Sequence, residues 1–547
     1  MTAPPPQLGN RSSGVLLHAT SLPGASGYGD LGDGALRFVD FLKSAGQSWW
    51  QMLPLNPIDS CNSPYASSSA FAAEPLLLDL EDFVRQGLLD RSDHDSPPWG
   101  PLSRAAFFTV REYREPRWRK AFERFQERAK SGPLRDDVDQ FLDKNAYWIN
   151  DFTLFTAIQK KLDYRSWHEW PLPLRDRDPD ALEEARRELT DDIDYHVFLQ
   201  FQLDRQWGRL REYACEHGVG LIGDIPIYVG GESADLWAHR HQFIVDEEGH
   251  PTYVAAVPGD DFNPEGQRWD SPLYRWDLMA QDRYDWWMQR LELSFHRFDA
   301  LRLDHFIGFY NYYQVPADRE STVGIGWFPG PRHDFFNVLK ERLQDFDGAT
   351  RHQHAKLIAE DLGVMNDGVE ELRDTFHLPG MNVLQFSFFK HRTGSPDVRD
   401  EWLENSIVST GTHDTPTVMG WLEEELLPCQ GQTNAPLDYD YVASILGLPT
   451  SKGKESAGTE ETTEENAGEP LHWSMIRTVL ETAPHTAIIP MQDLLGLDNE
   501  SRMNRPGFAE GNWGWRLRAD QMTPELAQKL RELTLETDRL VSDESSD

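Results

Sequence analysis

Eight short runs of apolar residues recur along this chain of 547 residues, and each run ends in polar or charged residues. Continuous apolar runs are typical of strands that are buried on both faces, as in parallel sheets. Amphipathic segments with helical periodicity lie between the runs. This alternation predicts an α/β fold, a (β/α)8 barrel whose functional side chains lie at the carboxyl ends of the strands. The predicted strands cover residues 14–18, 49–54, 220–227, 300–304, 357–361, 382–386, 407–410 and 487–491.

The uneven spacing of these runs predicts inserted, mainly helical subdomains. Residues 76–195 are too many for one helix and carry helical periodicity, which predicts a helical subdomain. Residues 245–290 are punctuated by Pro and Gly and are predicted to form a lid and loop region. Residues 425–472 form a third, variable insertion, in which residues 451–469 are polar and acidic enough to be disordered.

The chain is strongly acidic, with 91 Asp and Glu against 53 Lys and Arg and a formal net charge of −38. Nucleic acids and anionic membranes are bound by clustered Lys and Arg, so this charge argues against either partner. Only 12 of the basic residues are Lys. An acidic chain that is poor in Lys is also what we expect of a protein that works in high salt.

The cysteines and the apolar runs bear on the compartment. Cys61, Cys215 and Cys429 lie far apart in the chain and match no metal-binding spacing, so neither a disulfide framework nor a zinc site is expected. The first ten residues lack the charged and apolar regions of a signal peptide, and no apolar run reaches 18 residues. These features predict a cytoplasmic protein without a membrane span.

The fourth run contains a charged pair inside an apolar strand. Arg302 and Asp304 are two residues apart, so both side chains point to the same side at the end of the strand. Buried charges are costly unless they are paired or used in chemistry. A carboxylate that a neighbouring guanidinium keeps ionised is suited to act as a nucleophile, but a structural ion pair explains the two residues equally well.

Two further carboxylates end later strands. Glu360 closes the fifth run, where Asp361 points to the other side of the chain, and Asp414 follows the seventh run. Each could individually be a helix N-cap or a turn residue. In a barrel, however, the three acids converge on one mouth. Retaining glycosyl transfer uses one carboxylate as a nucleophile and one as a general acid/base, and the third can stabilise the transition state.

A metal site is the main alternative use for three clustered acids, because carboxylates also bind Ca²⁺ and Mg²⁺. The sequence contains no Asp-x-Asp-x-Asp loop near these acids, and the positive charge of Arg302 opposes a cation. We therefore expect neither a metal ion nor another cofactor.

The segments around the acids resemble the catalytic segments of the amylomaltases, which are 4-α-glucanotransferases of the α-amylase clan. The resemblance runs from about residue 11 to about residue 540 and implies a single catalytic barrel over that range. The segments that carry it are residues 302–306 (Arg-Leu-Asp-His-Phe), 359–363 (Ala-Glu-Asp-Leu-Gly), 412–415 (Thr-His-Asp-Thr), 11–18 (Arg-Ser-Ser-Gly-Val-Leu-Leu-His), 50–57 (Trp-Gln-Met-Leu-Pro-Leu-Asn-Pro), 63–65 (Ser-Pro-Tyr), 69–71 (Ser-Ala-Phe), 223–227 (Gly-Asp-Ile-Pro-Ile) and 512–516 (Asn-Trp-Gly-Trp-Arg).

The resemblance implies that Asp304 is the nucleophile, Glu360 the general acid/base and Asp414 the stabiliser of the transition state, with Arg302 keeping Asp304 ionised. For Asp224, a buried supporting role without substrate contact is an equally good interpretation. The substrate-binding residues that the resemblance implies are Ser63, Tyr65, Asp224, Asp260, Gln267, Trp269, Arg302, His305 and His413.

The chain departs from the family in residues 257–272, which resemble the family's mobile loop over the acceptor. The family usually has a second Pro where this chain has Gly259, and Gly-Asn where it has Asp270 and Ser271. Gly259 should loosen the loop, because glycine loses more conformational freedom on ordering than other residues. The departure bears on acceptor affinity and leaves the reaction class unchanged.

The implied function is retaining transfer of a 1,4-α-glucan segment to the 4-hydroxyl of another glucan or of glucose, through a covalent glycosyl-enzyme intermediate. The implied partners are α-1,4-glucans such as maltooligosaccharides and amylose, with glucose as an acceptor. Two alternatives stay open: an α-glucan hydrolase, which would share the same intermediate, and a non-catalytic glucan-binding protein, which would not need all three acids.

Overall fold

The computed structural model describes residues 6–24, 27–94, 97, 99, 103–259, 266–322, 326–345, 356–363, 365–388, 402–430, 437–446 and 469–541. Asp260 lies outside the described residues, and of the segment 451–469 only Glu469 is described. The strands are β1 (Ser12–Leu16), β2 (Trp49–Gln51), β3 (Gly220–Ile225), β4 (Tyr253–Val257), β5 (Gln267–Pro272), β6 (Ala300–Leu303), β7 (Asn311–Pro316), β8 (Gly326–Pro329), β9 (Lys356–Ala359), β10 (Gly380–Val383), β11 (Ser406–Ser409) and β12 (Thr486–Pro490).

The centre of the fold is a sheet of eight strands in the order β10-β11-β12-β1-β2-β3-β6-β9, and all neighbouring strands are parallel. The backbone N–H of Ala359 donates to the carbonyl of Pro379 at 2.9 Å, which joins the end of β9 to the start of β10 and brings the two edges of the sheet together. Each of these strands coincides with one predicted apolar run. The predicted (β/α)8 barrel is therefore confirmed.

The barrel strands are short and buried on both faces, as their continuous apolar composition predicts. Every residue of β1, β3, β11 and β12 is buried. The sixth predicted run, residues 382–386, extends too far. Strand β10 ends at Val383, because Leu384–Ser387 forms a helical turn in which Leu384 and Gln385 are also buried. An apolar run cannot by itself distinguish a buried strand from a buried helical turn.

A second sheet was not predicted. Strands β4, β5, β7 and β8 form an antiparallel sheet in the order β5-β4-β7-β8. Two of its strands follow β3 and two follow β6, so two segments that are distant in the chain build it together. The predicted lid and loop region, residues 245–290, thus contains two strands. A small apolar cluster of Val254, Ala256, Tyr313 and Val315 holds the sheet together.

The helices alternate with the barrel strands and fill the insertion between β2 and β3. In that insertion the ring of Phe198 lies 4.9–5.7 Å from the rings of Phe83, Phe122 and Phe125. No helix in the described residues is long and apolar enough to cross a membrane. The α-helices are Asp33–Ser44, Leu80–Arg85, Phe107–Arg128, Pro133–Lys161, Leu172–Arg175, Pro179–Glu188, Thr190–Glu216, Ala234–Ala238, Trp276–Met279, Asp285–Arg297, Ile307–Tyr310, Arg332–Asp345, Asp367–Thr375, Leu384–Ser387, Val418–Trp421, Tyr439–Leu446, Leu471–Glu481, Met491–Leu494 and Pro524–Glu536.

Candidate active site

The barrel brings the three predicted acids to one cleft. Asp304 directly follows β6, Glu360 directly follows β9, and Asp414 lies in the loop after β11. All three line a cleft of about 1450 Å³ at the carboxyl ends of the strands. Parallel strands of a barrel all end at the same mouth, which explains why residues so far apart in the chain meet there.

Most of the predicted substrate-binding residues line the same cleft. Asp224 does not line it, because its side chain is fully buried below the cleft floor. This position agrees with a supporting role for Asp224. Asp260 is not among the described residues. The predicted residues that line the cleft are Ser63, Tyr65, Gln267, Trp269, Arg302, His305 and His413.

Arg302 is the centre of the charge network under the cleft. Its Nη1 donates to both carboxylate oxygens of Asp224, at 2.9 and 2.8 Å, and to Oδ1 of Asp304 at 2.8 Å. Its Nη2 lies 3.9 Å from Oε2 of Glu360. The guanidinium is buried, whereas the side chain of Asp304 is 26% exposed toward the cleft. The guanidinium of Arg302 therefore connects Asp304 and Glu360 with the buried carboxylate of Asp224.

Burial raises the pKa of the Asp304 carboxyl to about 8. The Arg302 guanidinium opposes this rise, and the carboxylates of Asp224, Glu360 and Asp414 add to it. The contact that should keep Asp304 ionised is present. Its effect is limited, because Arg302 shares a single positive charge between Asp304 and Asp224.

Backbone groups hold Glu360 in place. Its Oε2 accepts a hydrogen bond from the N–H of His305 at 2.8 Å, and its Oε1 accepts one from the N–H of Leu362 at 3.0 Å. His305 is in the left-handed backbone region, with φ of 51°. A non-glycine residue rarely adopts this conformation, and such strain is typical of functional sites. The strained turn after Asp304 thus aims one N–H at the carboxylate of Glu360.

Asp414 is held by a segment that follows β12. The side-chain amide of Asn504 donates to Oδ1 of Asp414 at 2.6 Å, and the backbone N–H of Asn504 donates to the carbonyl of His413 at 3.0 Å. Arg502 donates to the backbone carbonyl of Asp414. Nε2 of His413 lies 3.3 Å from Oδ2 of Asp414.

Aromatic rings build one wall beside the acids. The hydroxyl of Tyr65 donates to Asp224 at 2.7 Å, and its ring stacks on His413 with centroids 5.2 Å apart. Trp513 lies 5.7 Å from the ring of Tyr65. The proton of the Tyr65 hydroxyl is thus used inside the protein, where it connects this wall to the buried Asp224.

Trp269 and His305 form another contact at the cleft. The two rings meet edge to face with centroids 4.7 Å apart. Nε2 of His305 is buried and has no hydrogen-bond partner among the described residues. In the described part of the chain, no group of three His, Cys, Asp or Glu side chains is arranged to hold a metal ion.

The model of the protein family described as 4-alpha-glucanotransferase matches residues 17–522. The 4-alpha-glucanotransferase of Thermus thermophilus is 38% identical over 542 aligned positions, which cover 97% of this chain and 99% of that protein. The chain belongs to the 4-alpha-glucanotransferase family. A second relative with this name, from Streptococcus pneumoniae, is 38% identical over 96% of both chains.

Solved structures agree with this assignment. The amylomaltase from Streptococcus agalactiae in complex with acarbose matches with a TM-score of 0.85 and 32% identity, over 97% of this chain and 99% of that one. The amylomaltase from Corynebacterium glutamicum shares the fold, with a TM-score of 0.72 at 18% identity, over 98% of this chain and 76% of that one. The predicted family, fold and 4-α-glucanotransferase activity are confirmed.

The sequence reasoning missed Arg502 and Asn504 in this 4-α-glucanotransferase. They lie shortly before residues 512–516, which resemble the family. No local pattern marks them, because their partner Asp414 lies about ninety residues earlier. The amide of Asn504 and the guanidinium of Arg502 acquire a role only when the segment after β12 folds back over the loop after β11.

Arg302→Lys should move the acid limb of the pH profile of kcat/KM to higher pH. Nη1 of Arg302 contacts Asp304 and Asp224 together, whereas the shorter side chain of Lys cannot place its ammonium at the same point. Asp304 then loses part of the positive charge that lowers its pKa, so its pKa rises. A larger fraction of Asp304 is then protonated at each pH, and a protonated carboxyl group cannot act as the predicted nucleophile. The profile of glucose release from maltotriose measures the shift.

Arg373→Lys is the matched control for this prediction. Arg373 also pairs with a buried carboxylate, that of Asp361 at 2.7 Å, but neither residue lines the cleft. The control should leave the acid limb in place. If the limb of Arg302→Lys coincides with that of the unmodified enzyme, Arg302 does not set the ionisation of Asp304.

Asn504→Ala should slow transfer about 10- to 100-fold, since a hydrogen bond to a charged group contributes about 1.5–3 kcal/mol. Asn504→Asp should be slower still, because it places a second carboxylate against Asp414. Steady-state rates with maltotriose measure both effects. The assay temperature should lie equally far below the melting temperature of each variant, so that only folded enzyme is compared. An Asp variant as active as the Ala variant would show that Asn504 does not act through the charge of Asp414.

Proposed function

We propose that Asp304, Glu360 and Asp414 carry the transfer as two successive displacements at the anomeric carbon. In the first, Glu360 gives its proton to the glycosidic oxygen while Asp304 attacks. The bond to the leaving glucan breaks and a glycosyl ester of Asp304 forms. In the second, Glu360 takes the proton of the acceptor 4-hydroxyl, whose oxygen attacks, and Asp304 leaves as a carboxylate. Two inversions retain the α configuration.

The observation that carries this proposal is that one guanidinium reaches two of the acids. Arg302 lies 2.8 Å from Asp304 through Nη1 and 3.9 Å from Glu360 through Nη2, so the two carboxyl groups are close neighbours. Retaining enzymes need a short separation of about 5–5.5 Å, whereas inverting enzymes need room for a water between the carboxyl groups. Two carboxyl groups on one guanidinium are compatible with the short separation of retaining enzymes.

The proposed electrostatics follow from the raised pKa of Asp304. Burial and the neighbouring carboxylates raise the pKa of Asp304, so its ionised form is costly before the substrate reacts. Positive charge that develops at the anomeric carbon favours the ionised form of Asp304 in the transition state. Asp414, oriented by Asn504, faces the same charge and stabilises the transition state.

The proposed substrates are α-1,4-glucans, with another glucan or glucose as the acceptor. The cleft of about 1450 Å³ exceeds the 300–1000 Å³ that is usual for drug-sized ligands, which suits an oligomer. The rings of Tyr65, Trp269 and Trp513 line the cleft and offer apolar contact area to sugar rings. The S. agalactiae amylomaltase, which was solved with acarbose, supports this substrate class.

Incubation with maltotriose alone tests the proposal. Transfer yields glucose together with a ladder of chains longer than maltotriose, because each segment removed from one molecule is added to another. Hydrolysis yields maltose and glucose only, and would contradict transfer. Binding of maltotriose without any product would contradict catalysis altogether. Analysis of the ladder with a glycosidase that cleaves only α-1,4 bonds checks the linkage.

A further inference from the structure

Two exposed aromatic rings, which are not adjacent in sequence to any of the three acids, also line the cleft. Trp327 is 39% exposed and Phe508 is 61% exposed, and both belong to the cleft lining. A single exposed apolar side chain is common on protein surfaces. Among the described residues, however, the other large apolar side chains with comparable exposure do not line this cleft. They are Phe108, Tyr164, Leu172, Leu403, Leu427, Leu535 and Val541.

The barrel order places the strands that precede these rings on opposite sides of the mouth. Trp327 lies on β8, in the segment that follows β6, and Phe508 lies in the segment that follows β12. In the closed order β10-β11-β12-β1-β2-β3-β6-β9, strands β6 and β12 are four places apart among eight. The acids follow β6, β9 and β11, on the arc of strands that runs from β6 through β9, β10 and β11 to β12.

The backbone around Phe508 is tied down even though its ring is exposed. The N–H of Phe508 donates to the carbonyl of Arg505 at 3.1 Å, and its own carbonyl accepts from Nδ2 of Asn512 at 2.6 Å. Oδ1 of Asn512 in turn accepts from the N–H of Arg505 at 2.9 Å. The guanidinium of Arg505 lies 5.5 Å from the ring centroid. The ring is therefore presented to the cleft by a closed, hydrogen-bonded turn.

The ring of Trp327 is presented in a comparable way. Its strand β8 pairs with β7, in a register that places Trp327 opposite Tyr313. The two rings meet edge to face with centroids 5.3 Å apart, and Tyr313 is buried in the small core of the second sheet. One edge of the tryptophan is thus anchored, while part of the ring stays open to the cleft.

We propose that Trp327 and Phe508 are stacking platforms for glucose units at the two outer ends of a bound α-glucan. The inference rests on the proposed function, because it requires an α-glucan that crosses the mouth past the acids. Aromatic faces offer apolar contact area to the C–H faces of sugar rings without restricting their hydroxyls. One platform contacts the donor chain and the other contacts the acceptor chain, since the scissile bond lies between them.

The test uses two series of rates for Trp327→Ala and Phe508→Ala. In the donor series, maltotriose to maltoheptaose donate to a fixed amount of labelled glucose. In the acceptor series, one donor is fixed and the acceptor grows from glucose to maltopentaose. We expect each variant to lose about 3- to 10-fold in kcat/KM for the longer chains of one series only, the scale of one aromatic contact. Reactions with the shortest sugars should stay within twofold of the unmodified enzyme.

Three controls make the result decisive. Phe108→Ala removes a ring that is 74% exposed outside the cleft and should change neither series. Trp327→Phe and Phe508→Tyr keep a flat ring and should retain the dependence of the rate on chain length. A substitution that only damaged the structure would instead lower the rate at every chain length. Equal losses at every chain length, no loss at all, or losses by both variants in the same series would overturn the proposal.

The outcome is separable from that of the proposed function. If the unmodified enzyme makes no ladder from maltotriose, the proposed transfer is wrong. The platforms are then tested by measuring how the hydrolysis rate of each Ala variant depends on chain length. If the ladder forms and the length dependence of both Ala variants is unchanged, the platforms fail while transfer stands.

Discussion

Asp304→Asn will abolish glucan transfer while the protein stays folded. Asn cannot form the glycosyl ester, and loss of a nucleophile of this kind costs on the order of 10⁴- to 10⁶-fold in rate. The fold survives because Arg302 keeps its two contacts with Asp224, at 2.9 and 2.8 Å, when its contact with Asp304 is lost. Rates with maltotriose, together with a melting curve, measure both parts of the prediction.

The same substitution should raise the melting temperature at neutral pH. The pKa of Asp304 is raised from its ordinary value of 3.8 to about 8 in the folded protein. The unfolded chain therefore loses the Asp304 proton more readily, and stability falls as the pH rises from about 4 to about 8. Asn does not titrate, so its advantage is absent below about pH 4 and grows through this window. An advantage that shrinks with rising pH would contradict the raised pKa.

Asp299→Asn is the matched control at the other end of the same strand. Asp299 precedes β6, accepts from the N–H of Leu221 at 2.9 Å and pairs with Arg211 at 3.0 Å. The amino ends of barrel strands serve stability, and active sites lie at the carboxyl ends. The control should therefore lower the melting temperature and keep the activity of the folded enzyme. Comparable activity in the Asp304 variant would remove Asp304 from the role of nucleophile.

Glu360→Gln will produce the second large loss, about 10²- to 10⁴-fold with maltotriose, the usual contribution of a general acid/base. The loss should be much smaller for the first displacement from an α-maltosyl fluoride, because fluoride leaves without a proton. A small loss of stability should accompany it. Both oxygens of Glu360 accept a backbone N–H, from His305 and Leu362, and the amide of Gln replaces one acceptor with a donor.

Azide distinguishes the general acid/base from a structural residue. In Glu360→Ala, azide attacks the glycosyl ester of Asp304 without needing a base and should yield a glycosyl azide with retained α configuration. Asp361→Asn is the control, because Asp361 is adjacent in sequence but pairs with Arg373 outside the cleft. That variant should lose stability, keep its transfer activity and give no azide product. Glu360 is not the general acid/base if its variants lose equal rate with maltotriose and with α-maltosyl fluoride and if azide yields no product.

The fold could be predicted from the sequence because its signal is local. A parallel barrel strand is apolar on both faces, so each strand appears as a continuous run, and the eight runs coincide with the eight strands. The second sheet had no such signal. Its strands of four to six residues form two pairs within their own segments, β4 with β5 and β7 with β8, and β4 pairs with β7 across the residues that contain β6. The contact that joins the two halves of this sheet is therefore non-local and leaves no local pattern.

The three acids were predictable for the same reason, since each follows an apolar run and a barrel gathers strand ends at one mouth. What the sequence by itself determined is thus the barrel, the acids at its mouth and the resemblance of the segments around them. Only the tertiary structure decided what surrounds those acids: the division of the charge of Arg302 between two carboxylates, the hydrogen bond from Asn504 to Asp414, and the cleft that Trp327 and Phe508 both line. Contacts between residues that are tens to hundreds of positions apart leave no periodic trace in the chain.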